Sequence, residues 1–116
     1  MSTDIAGHEF EPAPGHVVTV FRSRLAPDHR DAYGALAAEI DGLALRQPGF
    51  VDRKTFVADD GERVTVVTFA DRASHDAWRD EARHREAQDQ GRAALYDSYL
   101  IQVGVCDRAH AFVRSP

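Results

Sequence analysis

The chain has 116 residues, 43% of them hydrophobic and 28% charged, with a formal net charge of −5. This is the size of one domain with one core, whose thin stability margin a second copy would widen. No apolar run approaches the ~18–20 residues of a membrane span, and no basic cluster stands out, so neither a membrane nor nucleic acid is expected as partner.

The N-terminus carries an early acid, Asp4, and no apolar stretch, so a signal peptide is not expected. The only cysteine, Cys106, excludes an intrachain disulfide and a cysteine-based zinc site. A reducing, cytoplasmic setting is the simplest reading. Thirteen arginines stand against one lysine, Lys54, a bias of GC-rich coding common in bacteria.

Residues 1–15 have no period and contain Pro12, Pro14 and Gly15; they read as an extended N-terminal arm. His16 to Leu25 is a β-rich run with Val17, Thr19, Phe21, Ser23 and Leu25 on one face and Val18, Val20, Arg22 and Arg24 on the other. Pro27 suits a first helical turn, with Asp28 and Asp31 near its positive end. Tyr33, Leu36, Ala37, Ile40, Leu43 and Ala44 then form one helical stripe, which Pro48 and Gly49 must end near Gln47.

Phe50 to Ala58 and Glu62 to Ala70 read as strands joined by an Asp59-Asp60-Gly61 turn. Asp71 or Ser74 can cap the next helix, which carries Ala73, Ala77 and Trp78 and then a polar segment from Arg79 to Gln90. Gly91 suggests a break, followed by a short helical piece to Leu95. Tyr96 to Cys106 is the last strand, with Tyr99, Ile101, Val103 and Val105 on one face; residues 107–116 form a C-terminal tail. The order β-α-β-β-α-β over residues 16–106 predicts an α+β, ferredoxin-like antiparallel sheet with two helices on one face. The other sheet face, with Val18, Val20, Val64 and Val66, predicts a homodimer that covers it.

Several stretches come in the order of one family: VTVFRSRL at 18–25, QPGF at 47–50, GERVTVVTFAD at 61–71, AW at 77–78, His84, AQ at 87–88, GR at 91–92 and YDSYLIQV at 96–103. With these the chain resembles the antibiotic biosynthesis monooxygenase family of dimeric α/β-barrel proteins. The resemblance implies a homodimer with facing sheets and, in each subunit, a pocket between helices and sheet. It also implies cofactor-free oxidation of a small aromatic or quinol-type, polyketide-like molecule by O₂. A distinct branch breaks down haem with an Asn, a Trp and a His, which fall here on Ser23, Trp78 and Gln88. Two of the three differ, the iron ligand among them, so haem degradation is not expected. The polyketide-oxidising members place a Trp and a polar aromatic group about six residues later in the pocket, which correspond to Trp78 and His84.

The candidate catalytic residues are therefore His84, as the base that takes a proton from a phenol or carbon acid, and Arg92, as stabiliser of an oxyanion. The candidate substrate-binding residues are Trp78, Ser23 and Tyr99. Each also has a purely structural reading. His84 could be a surface histidine, Trp78 a core anchor, Arg92 an ion-pair partner of Asp89 or Asp97, and Ser23 a backbone-bonded serine. Tyr33, Tyr96 and Tyr99 are more often packed aromatics, and Arg22, Arg24 and Arg53 are expected to pair with acids.

No metal or other cofactor is expected: there is no phosphate loop, nucleophile elbow or HExxH spacing. The alternatives to an oxygenase are a non-catalytic dimer that binds a small hydrophobic metabolite, and an isomerase or cyclase using the same base.

Overall fold

The structure is a computed structural model that describes residues 10–27, 30–90 and 95–114. Its elements are β1 (Val17–Leu25), α1 (Arg30–Leu45), β2 (Phe50–Val57), β3 (Arg63–Phe69), α2 (Arg72–Asp80), α3 (Ala82–Gln90) and β4 (Tyr96–Val105). The strands form one antiparallel sheet in the order β2-β3-β1-β4. This is the α+β, ferredoxin-like arrangement, and the strand ends fall within one residue of those expected. Among the described residues no helix is long and apolar enough to cross a membrane. Residues 1–9 of the expected arm, Asp28 at the expected start of the first helix, and the 91–94 piece with Gly91 and Arg92 lie outside the described residues.

The core is the meeting of three apolar surfaces. The α1 stripe supplies Ile40 and Ala44, with Leu36 and Leu43 beside them; β3 supplies Val67 and Phe69; Trp78 and Ala87 come from α2 and α3. Phe69 is 1% exposed and touches the Phe50 ring edge-on at 5.9 Å and Trp78 at 6.4 Å. Burying a side chain of this size contributes roughly 1.5–3 kcal/mol.

The connections follow from local chemistry. At the end of α1 the bonds tighten, with Gln47 N–H donating to Ala44 O at 3.0 Å. Gly49 then adopts φ +80°, and a Cβ there would overlap Ser74 Cβ and Oγ at the start of α2. Gly61 takes φ +90° in the β2–β3 hairpin, where Asp60 Oδ1 accepts from Glu62 N–H at 3.0 Å. Asp71 is the cap of α2: its carboxylate accepts from Ser74 N–H at 2.8 Å, and Ser74 Oγ accepts in return from Asp71 N–H at 3.4 Å.

One expectation is corrected. The second helix does not run to Gln90; it breaks at Glu81, whose backbone is extended (φ −62°, ψ 130°). Glu81 N–H closes α2 on Trp78 O at 3.2 Å, while its carboxylate accepts His84 N–H at 2.8 Å and so caps α3. An acid at a helix start is also favoured by the helix dipole.

The helices cover the face of Val17, Thr19, Phe21, Val67 and Phe69. The opposite face carries Val18, Val20, Val64 and Val66, partly exposed, with Phe56 and Leu100 50% and 46% exposed. Along one side of it Arg22 pairs with Glu62 and Arg24 with Asp60, at 2.7 and 2.8 Å.

Candidate functional site

A cavity of about 490 Å³ lies between the helices and the sheet. Its floor is Thr19, Phe21, Thr65 and Val67, its roof the α1 stripe and the polar face of α2 and α3, and its outer side Ile101 and Val103 on β4. The register explains one wall. Between Arg24 and Leu25 the β1–β4 pairing shifts, so that Ser23 faces Tyr99 while Leu25 faces Tyr96. Without that irregularity, positions 96 and 99 would point to opposite faces of the sheet. With it, Tyr96 and Tyr99 both line the cavity, and each packs against Phe21 at 5.5 and 5.4 Å. Tyr33 from α1 completes this aromatic end, 5.8 Å from Tyr96. Burial above all, and then the neighbouring Tyr33, push the Tyr96 phenol well above its ordinary range, so it stays a neutral hydrogen-bond donor.

At the other end His84 and Trp78 form a unit. Their rings stack with centroids 4.1 Å apart and 11° between planes. His84 Nδ1 lies 3.1 Å from Trp78 O. A carbonyl can only accept, so Nδ1 donates and the neutral ring keeps its lone pair on Nε2. Burial lowers the His84 pKa below its ordinary value, and the Arg53 charge adds to this; the Trp78 carbonyl and Glu81 oppose it. Burial thus favours the neutral imidazole, the form a base requires.

Trp78 is 5% exposed and rests on Phe69, so it is both core anchor and cavity wall. Gln88 also lines the cavity. Arg53, a lining residue from β2, is held by Asp41 of α1 at 2.6 Å.

The sequence-derived candidates thus divide. His84, Trp78 and Tyr99 share the cavity; Tyr99 is 37% exposed at its edge. Ser23 does not join them: it sits on the helix side at 3% exposure but outside the lining, where Thr19 and Thr65 take the place expected for it. Arg92 is among the residues not described. Sequence reasoning passed over Tyr33, Tyr96, Arg53 and His75 as members of the wall. For His75 a signal existed, since it precedes Trp78 by three positions and so shares its helix face. Cys106 is partly buried, with Sγ 3.4 Å from Arg108 O. Among the described residues no three His, Cys, Asp or Glu side chains converge as metal ligands would.

The family model described as antibiotic biosynthesis monooxygenase matches residues 16–90, from the start of β1 to the end of α3. The chain belongs to the antibiotic biosynthesis monooxygenase family. A relative in Bacillus subtilis (strain 168), uncharacterized protein YqjZ, is 30% identical over 101 residues, 87% of this chain and 88% of its own. Among solved structures, Rv0793 of Mycobacterium tuberculosis superimposes with a TM-score of 0.71 at 22% identity, covering 82% of this chain and 99% of its own. SnoaB of Streptomyces nogalater, described as a cofactor-independent oxygenase, superimposes with a TM-score of 0.68 at 19% identity, covering 84% and 97%. At these identities the structural likenesses establish the fold.

Proposed function

We propose that this member of the family is a cofactor-independent monooxygenase that oxidises a small aromatic or quinol-type molecule with O₂. The observation that carries the reading is His84, stacked on Trp78 with Nδ1 tied to a carbonyl, in a cavity walled by aromatic rings. The structural likeness to SnoaB supports the same reaction class.

In this reading the substrate ring lies in the aromatic cavity with Trp78 and Tyr99 in its wall. His84 Nε2 takes a proton from an acidic C–H or O–H of the substrate. The resulting anion is rich enough in electrons to reduce O₂ directly. For a ring methylene the balance is R₂CH₂ + O₂ → R₂C=O + H₂O: a peroxide forms at the carbon, takes back a proton, and then loses water as its O–O bond breaks. Tyr96, kept protonated by burial, donates to the developing oxyanion. Arg92 retains its assignment as a second charge stabiliser; Ser23, the other substrate-binding candidate, lies outside the cavity lining.

The working unit is a homodimer formed through the open sheet face. Val18, Val20, Val64, Val66, Phe56 and Leu100 present there an apolar surface that no described helix covers. Exposed apolar patches of this kind mark interfaces.

The test is dissolved-oxygen uptake by the metal-stripped protein with a panel of anthrones and hydroquinones, beside the His84→Ala variant. Uptake that depends on the protein and falls at least about 100-fold in the variant is expected. Ligand binding without uptake would replace this reading with a binding protein, and product isomers formed without oxygen demand would replace it with an isomerase.

A further inference from the structure

The scheme above leaves one histidine of the cavity idle. His75 lines the cavity from α2 and is only 7% exposed. Its ring meets Phe69 edge-on at 6.4 Å, and its Nδ1 lies 2.8 Å from Asp76 Oδ1. An ionised carboxylate only accepts, so Nδ1 is the donor, and in the neutral ring Nε2 keeps the lone pair. Arg79 Nη1 lies 3.6 Å from the same carboxylate oxygen. A histidine serving only as packing needs no oriented carboxylate. This one has the arrangement that fixes a tautomer and stabilises the charged ring once it has gained a proton.

We propose that the His75–Asp76 pair is a second proton-transfer centre of the cavity, which takes the second hydrogen from the oxygenated carbon. The step rests on the oxygenase reading. His84 removes the first C–H proton, and the carbanion joins O₂ as R₂CH–OO⁻. The imidazolium of His84 returns its proton to give R₂CH–OOH. His75 Nε2 then removes the remaining C–H proton; the C–H electron pair becomes the C=O bond, the O–O bond breaks, and hydroxide leaves. The His75 imidazolium protonates that hydroxide, so one water is released and both histidines return to their neutral forms. The two bases reach the cavity from different helices, α2 and α3, so each C–H bond meets its own.

The experiment compares His75→Gln and Asp76→Asn with the parent, following oxygen uptake, organic hydroperoxide and ketone separately with an anthrone substrate. His75→Gln is expected to keep oxygen uptake within about threefold while ketone release falls at least about 100-fold and hydroperoxide accumulates. Asp76→Asn, at a half-exposed position that tolerates the change, shifts the same split in the same direction by less, and keeps the test sound if His75→Gln fails to fold. Uptake and ketone release falling together, or neither changing, would overturn the assignment. If the parent takes up no oxygen, the oxygenase reading fails, and the pair is judged by the imidazole ¹⁵N resonances with 2-naphthol as probe. A His75 Nε2 resonance of acceptor type that moves as 2-naphthol saturates the cavity retains it as a proton-transfer centre. A protonated or unresponsive Nε2 removes it.

Discussion

The imidazole of His84 lies flat on the indole of Trp78, 4.1 Å between centroids, although six residues separate them. Along one continuous helix, residues six apart differ by about 240° in direction and cannot stack. The turn at Glu81 brings them together. Trp78 O accepts from both Glu81 N–H and His84 Nδ1, so the carbonyl that ends α2 also orients the ring that begins α3.

Glu81 should therefore matter to the site without touching a substrate. Removing its carboxylate in Glu81→Ala leaves His84 N–H without its partner and is expected to cost about 1 kcal/mol in urea unfolding. Catalysis should fall further than stability explains, because the His84 ring loses its alignment; kcat falling no more than in a distant variant of equal stability would contradict this.

The titration of His84 has a defined sign. Burial lowers its folded pKa, so the base is lost only when the pH drops below the ordinary histidine value of 6.5. The kcat/KM profile should rise with pH, with a midpoint below 6.5, and be flat from there through pH 8. Between the folded and the unfolded pKa the unfolded chain holds more protons, so the stability contributed by this group grows with pH over that window and is complete above it. An ascending midpoint above 6.5 would assign the base elsewhere.

Gly49 joins two demands, a left-handed backbone and a close approach to Ser74. Gly49→Ala meets both the cost of positive φ and the overlap with the capped start of α2. A loss of at least about 2 kcal/mol is expected, visible as a lower urea midpoint at unchanged slope. A loss below about 0.5 kcal/mol would show that the turn relaxes without strain.

A charge placed on the open sheet face should separate the subunits of the proposed dimer. Val66→Glu lies at the centre of the apolar patch, beside Val20 on β1 and Lys54 on β2. Sedimentation equilibrium should give a parent mass near twice 12.8 kDa and a variant near 12.8 kDa. A parent that sediments as a single chain would remove the dimer.

Much of the fold was legible because period and punctuation agree. The stripe Tyr33-Leu36-Ala37-Ile40-Leu43-Ala44 faces the sheet and cavity as its spacing demands, and Asp59-Asp60-Gly61 turns where it should. The break at Glu81 was not legible, because glutamate is a good helix former and its capping role appears only once His84 N–H is in place. The sequence marks Gly91 as the break instead. Nor does alternation show that Tyr96 joins Tyr99, since that depends on a slip in strand pairing. Ser23 lies on the expected face but outside the lining, because alternation gives the face of a residue and not its position along the cavity.

On the β4 side the cavity wall is open to solvent. Ile101 and Val103 line the cavity yet remain 44% and 45% exposed. A flat apolar guest laid there would act as a missing piece of the protein's own interior, so occupancy and folding become one equilibrium. Each tenfold excess of guest over its dissociation constant then adds about 1.4 kcal/mol to the folded state. The melting temperature of this small chain thus becomes a chemical sensor, able to rank candidate molecules before any product has been detected.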